Sequence, residues 1–281
     1  MKYMMNQKPY SFLIAFIFTL LAGSEAFAAK PLALVWYGPG ACKPGCASSA
    51  AVVAKQAGFR VQKIYPGFKN YDLFKQAKLW VQPGGKSVDS AAAMGHELMD
   101  QVRNFVYSGG GYVGFCAGLF ITTAQIGTSG KVGYGIVPGS TELHIKKNSG
   151  GQLLLTHTQY GAKQFYYAGG PELNISDADL KAANGKIIAT YDDGKTAGVE
   201  LEYGKGKIAV IGLHPEAGFW WKLFKGIIDP DGSDRWFAID MISYATGSKI
   251  NAIEAEKNTV DTSEELKELQ SAPNATEMMS H

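Results

Sequence analysis

The chain has 281 residues and a formal net charge of +2, too little cationic excess to bind nucleic acid through its phosphates. Its apolar content of 46% is that of a globular protein and excludes an intrinsically disordered chain. With three cysteines it is not a disulfide scaffold.

The N-terminus opens with Lys2 and Lys8, an apolar run "FLIAFIFTLLAG" at 12–23, and "SEAFAA" with small residues at Ala26 and Ala28. That order is expected of a signal peptide covering 1–28, cut after Ala28. The run is short for a membrane span, so the expectation is an exported periplasmic or secreted protein without stable membrane insertion after cleavage. A retained anchor is the alternative. Residues 29–250 then suffice for one substantial domain. Residues 251–281 hold seven Asp or Glu against two Lys, a net of −5, and read as a solvated, flexible acidic tail. Inside it, Thr262 followed by Glu265 predicts a short capped helix.

The first half of the mature chain alternates in type. "LALVW" (32–36) predicts a strand, "ASSAAVVAKQAG" (47–58) a helix stopped by Gly58, and "FRVQKIY" (59–65) a strand. "YDLFKQA" (71–77) predicts a short helix, "KLWVQ" (78–82) a strand, and 91–110 a long amphipathic helix. Met94, Leu98, Val102 and Phe105 mark that helix's inner face. "GYVGF" (111–115) is a strand, and "AGLFITTAQ" (117–125) predicts a helix. Strands alternating with helices argue a mostly parallel sheet with helices on both faces. From about 130 to 212 the pattern becomes a β-rich insertion of short strands, with "DDGK" and "GKGK" as hairpin turns. Helical pattern returns at "FWWKLFKG" and "DRWFAIDMISYATG".

Three segments carry candidate chemistry. Gly114-Phe115-Cys116-Ala117-Gly118 is a G-x-C-x-G at a strand-to-helix boundary, the thiol form of a nucleophile elbow. A helix N-terminus beneath Cys116 favours a thiolate, and the Ala117 N–H faces an oxyanion formed by attack on a carbonyl. The bland alternative is a small core cysteine beside a turn. His214-Pro215-Glu216 follows the buried strand "KIAVIG", where a parallel sheet delivers residues to its ligand crevice. Glu216 lies two residues on, placed to orient the imidazole as a third group orients a catalytic base. The competing reading is a helix start with Pro and Glu in its first turn. A zinc deaminase is excluded, because the P-C-x-x-C partner of its H-x-E is missing. Finally, Gly84 or Gly85 of "QPGGKS" offers a second oxyanion N–H, and Tyr37-Gly38 after the first strand is expected to line the same crevice. Cys42 and Cys46 in "CKPGC" are expected to pair in an exported protein, with metal binding by the pair as the weaker option.

In the order "VWYGPG", "LWVQPGG", "GGGYVGFCAG", "FYYAGGP", "GKGKIAVIGLHPE", the chain resembles the class I glutamine amidotransferase-like superfamily. Within it, the nearest resemblance is to the family of the biotin-protein ligase N-terminal domain. The resemblance covers roughly 32–245 and implies a flavodoxin-like α/β fold. It also implies Cys116 as nucleophile, His214 as base, Glu216 as its orienter, and backbone oxyanion donors at Gly85 and Ala117. No cofactor and no metal are expected, and the expected substrate is a small-molecule or peptide amide. Two departures limit it. No biotin-ligase catalytic pattern occurs in these residues. Phe120 stands where glutamine-using relatives often carry Gln. The expectation is therefore an exported cysteine-dependent amidase acting through a thioester. A non-catalytic binding module on the same fold is the alternative.

Overall fold

The computed structural model describes residues 29–42, 45–146 and 150–270. The expected signal peptide lies outside the described residues, as does the tail beyond 270. Among the described residues no helix is long and apolar enough to cross a membrane.

The elements run β1 (Leu32–Trp36), α1 (Cys46–Gln56), β2 (Arg60–Ile64), α2 (Leu73–Gln76), β3 (Ala77–Gln82), α3 (Ser87–Tyr107), β4 (Gly111–Phe115) and α4 (Ala117–Phe120). There follow β5 (Ser140–Leu143), β6 (Gln152–Thr158), β7 (Gly161–Tyr167), β8 (Pro171–Asn174), α5 (Asp177–Ala182), β9 (Lys186–Tyr191), β10 (Thr196–Tyr203) and β11 (Gly206–Ile211). The chain then forms α6 (Phe219–Leu223), α7 (Arg235–Thr246), α8 (Ala252–Glu256) and α9 (Ser263–Gln270).

One nine-stranded sheet organises the molecule, in the order β2-β1-β3-β4-β11-β10-β9-β6-β7. Strands β2, β1, β3, β4 and β11 are parallel. Their order matches the flavodoxin-like 2-1-3-4-5 arrangement. The β-rich insertion adds four antiparallel strands to the β11 edge rather than forming a separate sheet. Among the described residues, β5 and β8 form the one further sheet.

Every residue of β1 and β4 is buried, as expected of strands covered on both faces. One face packs on α1 and α7 through Val35, Val53, Val113, Phe237 and Ile242. The other packs on α3 through Leu34, Trp80, Met94, Leu98 and Val102. Burying each such side chain contributes roughly 1.5–3 kcal/mol.

Two helices differ from expectation. α3 starts at Ser87 and is interrupted at Gly95, whose φ of 66° breaks the helical geometry. α4 is one turn, not the helix expected over 117–125. Its continuation is prevented by a returning strand-like segment: Tyr134 N–H donates to Ile121 O, Gly135 N–H to Thr123 O, and Ile136 N–H to Thr122 O. The Thr122 hydroxyl also bonds back to Leu119 O and the Thr123 hydroxyl forward to Gln125 O, which competes with helix propagation.

The acidic C-terminal stretch is docked in its described part, against the expectation of a solvated tail. Glu265 of α9 is buried and accepts from Ser49 Oγ and Arg235 Nη2, both at 2.6 Å. Glu268 accepts from Ser48 Oγ at 2.8 Å and from the Gly45 N–H at 3.2 Å. Three α1-end donors and an arginine thus neutralise acids that in sequence read only as charge.

Candidate active site

The elbow at Cys116 is built by its glycines. The strand β4 must turn straight into α4, and the chain does so with Cys116 at φ 49°, ψ −105°. That backbone conformation costs a non-glycine residue on the order of 1–3 kcal/mol. It persists because the surroundings fix it: Cys116 N–H donates to Ile211 O at 2.8 Å, and Cys116 O accepts from Leu119 N–H at 2.9 Å. A Cβ on Gly114 would lie 2.4 Å from Gly118 O, and one on Gly118 would lie 2.4 Å from Gln82 O. The residues two before and two after the cysteine must therefore lack a side chain for the turn to close.

His214 stands just past β11, next to β4 in the sheet. Its N–H donates to Tyr166 O at 2.9 Å. Its Nδ1 lies 2.9 Å from Glu216 Oε1. Both side chains are buried, and Glu216 Oε2 is buried without a partner among the described residues. The ring sits between Tyr166 and Trp221, with centroids at 6.1 and 5.2 Å. Burial alone would lower the pKa of this imidazole. The charge of Glu216, and the charge and side-chain hydrogen bond of Cys116, outweigh burial and raise it to about 10. The arrangement therefore favours an imidazolium at His214, between Glu216 and Cys116.

Gly84 closes the third side. A Cβ there would lie 2.3 Å from His214 Cε1 and 3.3 Å from Cys116 Cβ. Gly84 thus lies against the imidazole and the Cys116 Cβ at once. Its carbonyl accepts from Cys42 N–H at 3.1 Å, and Gly40 O accepts from Lys86 N–H at 2.7 Å, so the loop after β1 pins the loop after β3. Gly85 has φ 128°, a conformation glycine tolerates. Ala117 opens α4, so its N–H has no acceptor within the helix. Cys42 and Cys46 are joined by a disulfide at the base of the same loop.

Cys116, His214, Glu216 and Gly84 thus converge, with Ala117 beside the thiol in the chain. Tyr37 and Gly38 do not join them. Tyr37 packs against the α1 and α7 side of the core, with Lys63 Nζ 4.7 Å from its ring centroid. Burial and the α9 acids Glu264 and Glu268 push its hydroxyl well above the usual phenol range. The space a Gly38 side chain would take is filled by the Trp36 ring. From that loop it is Gly40 and Cys42, not Tyr37 and Gly38, that touch the Gly84–Lys86 segment.

Three contributors escaped the sequence reading. Ala168 O lies 3.9 Å from Cys116 Sγ. Trp221 flanks the imidazole. Arg235 Nε donates to Glu216 O at 3.1 Å. The first sits in "FYYAGG", which was noted for its pattern alone; the other two have no local signal.

One further cluster has metal-ligand chemistry. His144, Glu172 and Asp193 bring ligand atoms within 4.8 Å of one another. Glu172 is already bound to Lys195 Nζ at 2.8 Å and to His144 Nδ1 at 3.0 Å, so its negative charge is met by the protein's own groups.

Comparison with known proteins agrees at the level of fold. The family described as "Biotin-protein ligase, N terminal" matches residues 34–143, which include Cys116 but not His214. PurLQS from Thermotoga maritima is similar in structure at 18% identity, with a TM-score of 0.52, over 75% of this chain and 97% of that one. The exo-β-1,4-mannosidase Op5Man5 from Opitutaceae bacterium strain TAV5 is similar at 14% identity and a TM-score of 0.44, over 76% of this chain and 36% of that one. No curated protein matches the chain. The architecture is flavodoxin-like, a large mostly parallel sheet flanked by helices, and PurLQS shares this fold.

Proposed function

We propose that this chain is an exported cysteine-dependent hydrolase of amide bonds, acting through a thioester. The observation that carries the reading is the 2.9 Å contact of buried Glu216 with His214 Nδ1, on the imidazole whose charge state Cys116 also governs. Export is supported by the leader-like 1–28 and by the Cys42–Cys46 disulfide.

In this reading the Cys116 thiolate attacks the amide carbon, forming a C–S bond as the carbonyl electron pair moves to oxygen. The Ala117 N–H and a Gly84 or Gly85 N–H receive that oxyanion; one such donor accounts for roughly 10²–10³ in rate. Collapse breaks the C–N bond, and imidazolium His214 gives its Nε2 proton to the departing amine. Neutral His214 then takes a proton from water as the water attacks the thioester. The C–S bond breaks, releasing a carboxylic acid and restoring the thiolate. Glu216 holds the imidazole in one tautomer and balances its charge throughout. Phe120, packed towards Gly127, supplies no amide recognition, so the reading does not extend to glutamine as substrate. The Cys116 side is almost closed, with the residue 2% exposed, so the substrate enters only when the Gly84 or Ala168 segment yields.

The test is covalent trapping. The mature chain treated with an electrophilic amide analogue, such as a peptidyl chloromethyl ketone, gains one adduct, mapped to Cys116 by peptide mass. C116A gains none and loses all turnover in a screen of amides. Equal labelling of that variant, or labelling elsewhere, would remove the idea.

A further inference from the structure

α6 and the segment after it are turned inside out. Phe219, Trp220, Leu223 and Phe224 fall on one half of the helical turn, and all are exposed. Trp221 and Lys222 fall on the other half and are buried. Ile228, 90% exposed, extends the apolar surface beyond the helix. A surface helix ordinarily does the reverse, with its apolar stripe on the core and its charges in water.

Specific partners hold the inversion. Lys222 Nζ reaches inward to Asp229, to Asp234 Oδ2 at 3.1 Å and to Gly232 O at 3.1 Å, which uses its three donors. A lysine is rarely buried without such pairing, and even then its desolvation is costly. The chain therefore buries an ion on the inner face of α6 while leaving four large apolar side chains of the same helix in water. A contiguous exposed patch of this kind marks a contact surface.

The make-up of the face points to what covers it. Its rings form one layer, with the Phe219 and Trp220 centroids 5.5 Å apart and those of Trp220 and Phe224 6.1 Å apart. Tryptophan is enriched where a bilayer meets water, and Trp, Phe and Leu make the buried side of helices that lie in that interface. The nearby acids are occupied: Asp229 and Asp234 by Lys222, and Asp231 by the Gln164 N–H at 3.0 Å. Lys225, half-buried beside Phe224, has no partner for its Nζ among the described residues. The free charge of the face is thus positive. The patch also runs into a cavity of about 580 Å³ lined in part by Phe219, Leu223, Ile227 and Ile228. An acyl chain fills such an opening, whereas a flat protein surface would leave it void.

We propose that α6 and the segment through Ile228 form a docking surface for an anionic lipid bilayer. Phe219, Trp220, Leu223, Phe224 and Ile228 enter the headgroup region, and Lys225 faces lipid phosphates. The inference stands apart from amide cleavage, because none of the groups assigned to that reaction belongs to this face.

Vesicle co-sedimentation tests it, using residues 29–281, which omit the apolar run 12–23 and keep every described element. The chain is expected to sediment with vesicles of equal parts phosphatidylglycerol and phosphatidylcholine, and more weakly with phosphatidylcholine alone. F219S/I228S, at two exposed positions, should weaken this binding at least about tenfold while keeping the parental melting midpoint. K225Q should weaken binding to the anionic vesicles about fivefold, the usual effect of one basic residue at such a surface. Brominated phosphatidylcholine in the vesicles should quench tryptophan emission in the parent, and markedly less in W220F. C116A should bind as the parent does. No vesicle binding, binding indifferent to F219S/I228S, or equal quenching in W220F would each overturn the proposal. So would a dimer, seen by light scattering, that F219S/I228S dissolves, since a second copy would then cover the face.

Discussion

Arg235 holds the backbone of Glu216 through Nε at 3.1 Å while its Nη2 is held by buried Glu265 at 2.6 Å. A C-terminal helix is thereby tied to the His-Pro-Glu segment. R235L leaves Glu265 buried with Ser49 as its remaining partner among the described residues, a loss of about 3 kcal/mol by the usual cost of breaking a buried pair. Thermal unfolding should fall by several degrees. R235K restores part of the charge but not the fork, so it should recover stability more than activity. If both variants keep full amidase activity, α9 does not support the site.

Gly84 tests how tightly the crevice is packed. In G84A the new Cβ would lie 2.3 Å from His214 Cε1, so the imidazole must move off its Glu216 and Cys116 contacts. A displacement of that order should cost about 10²-fold in kcat, with KM moving less. The measurement is steady-state kinetics beside a circular-dichroism melt. A G84A enzyme of parental kcat would place the reacting groups elsewhere.

The loop beneath Gly84 depends on a disulfide. Cys42 N–H bonds Gly84 O, and Cys42 is joined to Cys46. Releasing so small a ring removes about 2 kcal/mol by the chain-entropy estimate. Reduction, or C42S/C46S, should lower the unfolding midpoint and slow turnover together. Loss of stability with unchanged turnover would make the bridge purely structural.

Asp234 sets a separate pH dependence. Burial, aided by Asp229 and Asp231 and opposed by Lys222, raises its pKa to about 7 from 3.8. A folded pKa above the unfolded one means the protonated form favours folding. Its contribution is whole below about 3.8 and is lost as pH rises through about 7. The stability difference between the parent and D234N should therefore shrink, or reverse, from pH 4 to pH 8 in denaturant titrations. A difference independent of pH would show that Asp234 does not titrate in that range.

What the sequence disclosed and what it withheld divide along a physical line. Gly114 and Gly118 mark Cys116 because close backbone approach demands them at fixed offsets, and such demands are local. The strand order follows from alternation of strands and helices, and the hairpin at 192–195 turns on Gly194 as its composition requires, with φ 83°. Long-range compensation was invisible. Glu265 reads as a solvated capping residue until Ser49, 216 positions away, bonds it. The shortening of α4 likewise depends on Tyr134 and Ile136 arriving from outside the local window. Tyr37 was placed in the crevice by its glycine neighbours, yet its side chain turned to the α1 face.

The central claim is that Cys116 and His214 form one charge pair held by Glu216. Its most direct measurement is the rate of Cys116 alkylation by iodoacetamide against pH, in the parent, H214A and E216Q. With the His214 pKa raised to about 10, the imidazolium persists through neutral pH beside Cys116. The parent should alkylate at a nearly level rate from pH 6.5 to about 9. H214A should instead rise along the curve of an ordinary thiol, centred near about 8.5, with E216Q between them. A parent profile that follows the ordinary-thiol curve, unchanged in H214A, would contradict the account.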